Sequence, residues 1–111
     1  MTEKIKLPYF DFYYQDFLTG TAHFTHQQKG IYITLMCHAG VRNGQGLPNN
    51  FEQLCTIVNV YSNDPDMVHS LKTDINTVLT EKFKLIDNKW HNQRQLEDYK
   101  RTVEKINHRA E

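Results

Sequence analysis

Apolar residues recur along this chain at two spacings, and the spacings divide it into elements. Ile31, Tyr32, Leu35, Met36 and Ala39 fall on one helical face. Thr25-His-Gln-Gln28 ahead of them is a capping box, with a hydroxyl placed to accept from the third amide and a Gln placed to reach back. A first helix is therefore predicted from Thr25, with Gly40 where a left-handed C-cap is wanted. Gly30 costs about 1 kcal/mol relative to Ala inside a helix, which predicts a close approach by another element there. Residues 41–50, VRNGQGLPNN, read as a loop, and they lack the Gly-Lys-Ser/Thr ending of a phosphate-binding loop. Asn49 or Asn50 caps a short second helix with Phe51, Leu54, Cys55 and Val58 on one face. Asp64 as N-cap and Pro65 at the first helical position start a third, running to about Thr80, with Met67, Val68, Leu71, Ile75, Val78 and Leu79 inward.

The period then shortens. Phe83 to Asn92 reads as two strands around an Asp87-Asn88 turn, a pair that tolerates positive φ. Pairing across the turn sets Leu85 opposite Trp90 on the buried face and leaves Lys84, Lys89 and His91 on the other. From Gln93 a final helix spaces Leu96, Tyr99, Val103, Ile106 and Ala110 by 3, 4, 3 and 4 residues. The predicted class is mainly α with a small β-hairpin, in the order of a winged helix: three helices, a hairpin wing and a C-terminal helix. One domain is expected, with an extended aromatic lead segment over 1–24, a winged-helix-like core over 25–92 and the last helix over 93–111.

Composition changes this picture little. The lead segment concentrates Tyr9, Phe10, Phe12, Tyr13 and Phe17, and short helices that cannot close a core alone predict that these rings pack back across them. Stacking on single-stranded bases is the sharper alternative, opposed by Asp11, Asp16 and the lack of lysines nearby. Each cysteine, Cys37 and Cys55, sits in a predicted helix among apolar neighbours and reads as a small buried hydrophobe. No apolar run suits a membrane helix or a signal peptide, so a soluble, intracellular chain is expected.

Charge carries more. The formal net charge is zero, which argues against an indiscriminate polyanion binder. Residues 1–81 nevertheless carry 5 basic and 8 acidic groups, and residues 82–111 carry 8 and 5, so nucleic-acid contact should lean on the C-terminal quarter. In a winged-helix arrangement the third helix offers His69, Lys72, Thr73, Asn76 and Thr80 to a major groove, with Lys84, Lys89 and His91 on the wing and Arg94 holding phosphates. Asp66 and Asp74 on or near the same face oppose this. The stripe of Leu96, Tyr99, Val103, Ile106 and Ala110 serves either a homodimer or packing on the hairpin and first helix, since about two heptads are marginal for an isolated coil. His23, His26, Cys37, His38, Cys55 and His69 show no metal-ligand spacing, and no nucleophile–base or carboxylate constellation appears, so neither a metal, a cofactor nor an enzyme is expected. His23 is expected to bond backbone near the first helix.

PYFDFYYQDFLTGTAHFTHQQKGIYITLM, GQGLPNNFEQLCTIVNV and FKLIDNKWHNQRQLEDY together resemble the YdaU-like family of prophage proteins, over about residues 8 to 100. The family's domain is often found at the front of phage replication-initiation proteins. The resemblance implies a winged-helix-like domain of phage or prophage origin, acting in the cytoplasm of a bacterial host near the initiation of DNA replication. It departs from the pattern at the wing turn, Asp87-Asn88-Lys89, where Asp-Gly is common. The function expected is DNA binding without catalysis. The alternative is a protein-interaction module that keeps the shape and contacts a replication or host protein.

Overall fold

The computed structural model describes residues 9–58 and 62–110, the last two by their helical backbone alone. In chain order it contains α1 (Tyr14–Gly20), α2 (His26–Val41), β1 (Leu47–Pro48), α3 (Phe51–Ile57), α4 (Pro65–Lys82), β2 (Lys84–Ile86), β3 (Lys89–His91) and α5 (Gln93–Ala110). The protein is mainly helical with a small antiparallel sheet ordered β1-β3-β2.

The capping chemistry read from the sequence is present. Thr25 and Gln28 make both halves of the capping box on α2, Asn50 accepts from the Gln53 amide, and Asp64 accepts from the Asp66 amide with Pro65 behind it. Asp87 and Asn88 both take positive φ at the hairpin turn, and Leu85 faces Trp90 across it.

Two elements differ from expectation. The lead segment is not extended throughout, because residues 14–20 form α1. Phe10, Tyr13, Phe17, Thr21 and Phe24 follow one another at helical spacings of three and four, and these turn inward, while Tyr9, Phe12, Tyr14 and Leu18 stay exposed. The segment thus supplies core with one face only. The second difference is β1: Leu47 and Pro48 leave the loop to pair with Trp90 and Lys89, which puts Leu47 in the core. A two-residue strand has no period to read, so only its partner defines it.

The core is Leu35 of α2, Leu47 of β1, Leu54 of α3 and Ile75 and Val78 of α4, each fully buried and each contributing about 1.5–3 kcal/mol of burial. Phe24 and Phe83 close it, and Tyr32 meets both rings edge-on while stacking on Phe17 at 5.5 Å between centroids.

Several positions are corrected by this packing. Cys37 is exposed and Cys55 half-buried, both as free thiols, because Cys37 lies on the outer side of α2. Met67, in the first turn of α4, precedes the stretch that α2 covers, and it and Leu85 on the edge strand β2 are exposed. A Cβ at Gly30 would meet nothing within 4 Å, so no element approaches there. Gly40 lies inside α2, which ends at Val41 with Arg42 as its C-cap, ahead of Asn43 and Gly44 with positive φ; the close approach is at Gly40, where a Cβ would sit 3.3 Å from the Phe10 ring.

Candidate nucleic-acid interface

On α4 the residues that face outward are set by the ones that face in. Ile75, Val78 and Leu79 are buried against α2 and α3, so at 100° per residue His69, Thr73, Asn76 and Thr80 share a stripe on the far side, all exposed. Lys72, also exposed, flanks it near Cys55 of α3. The Thr73 and Thr80 hydroxyls donate to the His69 and Asn76 carbonyls at 3.0 and 2.7 Å, which leaves their oxygen lone pairs as acceptors toward solvent. The stripe therefore presents an amide, an imidazole, an ammonium and two hydroxyl acceptors, a mixture suited to base edges and phosphates.

The acids sort differently from expectation. Asp74 lies on the opposite flank from the stripe, where its carboxylate accepts from Gln27 and Gln28 in the first turn of α2. Glu81, two turns on, shares that flank and accepts from His23 at 2.8 Å. This also corrects His23, which meets a side chain and not backbone, with its ring beside Phe24. Asp64 and Asp66 remain at the N-terminal end of α4, so repulsion from phosphate falls on that end and spares Thr73 to Thr80.

Lys84 and Lys89 occupy one face of the hairpin and are exposed. The turn that presents Lys89 is held by Asn49, which donates to the Asn88 side-chain oxygen at 2.9 Å and accepts from the Trp90 indole at 3.2 Å. Sequence reading assigned Asn49 only to capping. An Asn beside a β-turn carrying another Asn is a signal for such a bracket, but it becomes legible only once β1 is known to pair with β3.

Two of the candidate residues make contacts within the protein itself. His91 is half-buried at the loop after α2, where a Cβ on Gly46 would lie 2.7 Å from its ring, and burial, with Lys100 acting the same way, holds its pKa below the ordinary value. Arg94 is ion-paired with Asp16, and its guanidinium lies 3.7 Å over the Tyr13 ring, with the Asp16 carboxylate raising its pKa further. It links α1 to α5 through this pair, while its side chain stays about half exposed.

The residues of the C-terminal stripe separate along α5. Its start is fixed to the body: Asn92 accepts from the Gln95 amide, Gln95 donates to the Met36 carbonyl at 2.9 Å, and Leu96 and Tyr99 pack at Gly44. Val103 is half-buried, Ile106 is 38% exposed, and the Ala110 side chain lies outside the described residues. Among the described residues no group of three or more His, Cys, Asp or Glu is gathered to hold a metal, and no helix is long and apolar enough to cross a membrane.

Fold and surface together define a small, mainly helical domain that presents one polar helix face beside a lysine-bearing hairpin. The family described as "Protein of unknown function (DUF1376)" matches residues 8–99, and the chain belongs to it. No curated protein and no solved structure matches the chain.

Proposed function

We propose that this protein is a winged-helix DNA-binding protein that docks the outer stripe of α4 in a major groove and rests Lys84 and Lys89 on phosphates. The observation that carries the reading is the partition of charge around α4: the stripe and the hairpin lysines are exposed, while Asp74 and Glu81 are engaged on the other flank. The winged-helix reading is supported by the order of α2, β1, α3, α4, β2 and β3, with β1 paired to β3. A role in initiating phage or prophage DNA replication in the bacterial cytoplasm rests on the resemblance over residues 8 to 100.

Fluorescence anisotropy with duplex DNA over a series of salt concentrations tests it. The wild-type chain is expected to bind with salt-sensitive affinity, and Lys84→Glu with Lys89→Glu to weaken binding at least about tenfold and flatten the salt slope by about 1 per lysine. Affinity indifferent to the double charge reversal would sink the reading. A second reading, a module that contacts a replication or host protein, is favoured by the exposed rings of Tyr9 and Phe12 on a chain of zero net charge. Stoichiometric recovery of a protein partner free of nucleic acid, together with no duplex binding, would decide for it.

A further inference from the structure

The hydrogen-bonding groups left open on the outer stripe of α4 differ in which base edges they suit. Thr73 and Thr80 stand two turns apart, about 10 Å along the helix axis, which matches about three base-pair steps. Each has committed its hydroxyl hydrogen to its own helix, to the His69 carbonyl for Thr73 and to the Asn76 carbonyl for Thr80. Neither can then donate to guanine O6 or N7, or to thymine O4. What each keeps is an acceptor and a methyl group, and the bond to the preceding turn holds that methyl in one rotamer.

Asn76 lies between the two threonines on the same stripe and is exposed. Its side-chain amide sets a donor beside an acceptor, the pattern complementary to adenine N7 and the adenine N6 amine. A methyl on either side of it suits the C5 methyl of thymine. The two acceptors of guanine ask instead for paired donors, which Arg and Lys supply, and residues 73–80 contain neither. Lys72 stands to one side, near Cys55 of α3, and His69 lies a turn nearer the acids Asp64 and Asp66. A threonine acceptor serves cytosine as well as adenine, so discrimination falls to the Asn76 amide and the two methyls.

We propose that the Thr73–Thr80 stripe reads A·T pairs through their major-groove edges, with Asn76 bonding adenine and the methyls of Thr73 and Thr80 meeting thymine methyls. This rests on the DNA-binding reading above and adds a base preference to it. The lysines supply affinity on any sequence, and the stripe supplies the choice among sequences.

Fluorescence anisotropy with three duplexes of one length and one purine order tests it. The first carries A·T pairs in every three-pair combination, the second G·C pairs and the third inosine·cytosine pairs. Inosine lacks the N2 amine of guanine, so the third duplex shows the minor-groove edges of A·T and the major-groove edges of G·C. The A·T duplex is expected to bind at least about fivefold more tightly than either of the others. Exchanging adenine for 7-deazaadenine, or thymine for uracil, is expected to reduce that advantage, since each removes one major-groove group and leaves the minor groove intact. Asn76→Ala, at an exposed helical position and checked for unchanged helix content by circular dichroism, is expected to bring the ratio of A·T to inosine·cytosine affinity toward one. Salt-sensitive binding equal on all three duplexes overturns this inference and leaves the DNA-binding reading standing. Inosine·cytosine bound as tightly as A·T also overturns it, because the minor groove would then set the preference. So does a preference undiminished in Asn76→Ala. Binding to none of the duplexes sinks both.

Discussion

Gly30 and Gly46 show how one residue type takes opposite roles. Gly46 has φ +81°, and a Cβ there would stand 2.7 Å from the His91 ring, so Gly46→Ala combines left-handed strain with a clash and should destabilise by about 2 kcal/mol or more. Gly30 is helical, exposed and open around its Cα, so Gly30→Ala should stabilise by about 0.5–1 kcal/mol. Urea midpoints that move the same way for both substitutions would refute this account. His91 supplies a pH test at the same scale. Burial holds its folded pKa below 6.5, so between that depressed value and 6.5 the unfolded chain binds more protons than the folded one. Stability should therefore fall as pH is lowered through 6.5, and His91→Gln should remove part of that slope in urea titrations on either side of it. The ring's chemistry is written in the sequence; its burial beside Gly46 depends on a loop that the sequence marks only as a turn.

At the scale of elements, the sequence was most legible where a local hydrogen bond fixes a boundary. Thr25, Asn50 and Asp64 each cap a helix, a bond made within three residues and so independent of the rest of the fold. α1 was missed because its N-cap, Tyr13, makes no side-chain cap and because aromatic density hid the spacing of Phe10, Tyr13, Phe17 and Thr21. β1 was missed because its strand character comes from Trp90 and Lys89, more than forty residues away by the pairing of Leu47 with Trp90. The hairpin's stiffness has the same non-local origin. Asn49→Ala, which removes the bonds to Asn88 and Trp90, should cost about 1 kcal/mol and shift Trp90 emission to the red. If the hairpin presents lysines to DNA, the same substitution should weaken duplex binding while leaving both lysines in place. Unchanged emission and affinity would show that the bracket is idle.

For the whole molecule, the principal extents of 55 × 33 × 22 Å reflect a compact body with α5 running away from it. Along the sequence, the excess of acids lies before residue 82 and the excess of bases from residue 82 onward. With Lys72, Lys84 and Lys89 as the phosphate contacts, the log–log dependence of duplex affinity on salt should have a slope of about −3 per copy and about twice that for two copies bound together. Arg94→Met should leave that slope unchanged, because Asp16 and Tyr13 already hold the guanidinium. A slope reduced by about 1 in that variant would return Arg94 to the interface. Spacing over a few residues, or composition, is enough for the caps, the inward stripe of α2 and that of α4 beyond Met67, the hairpin register and the uneven spread of charge. Tertiary structure alone decided which rings of the lead segment are covered, that Leu47 joins a sheet, and which charges are already paired. Those outcomes depend on contacts such as Arg94 with Asp16 and Glu81 with His23, between positions that no local period connects.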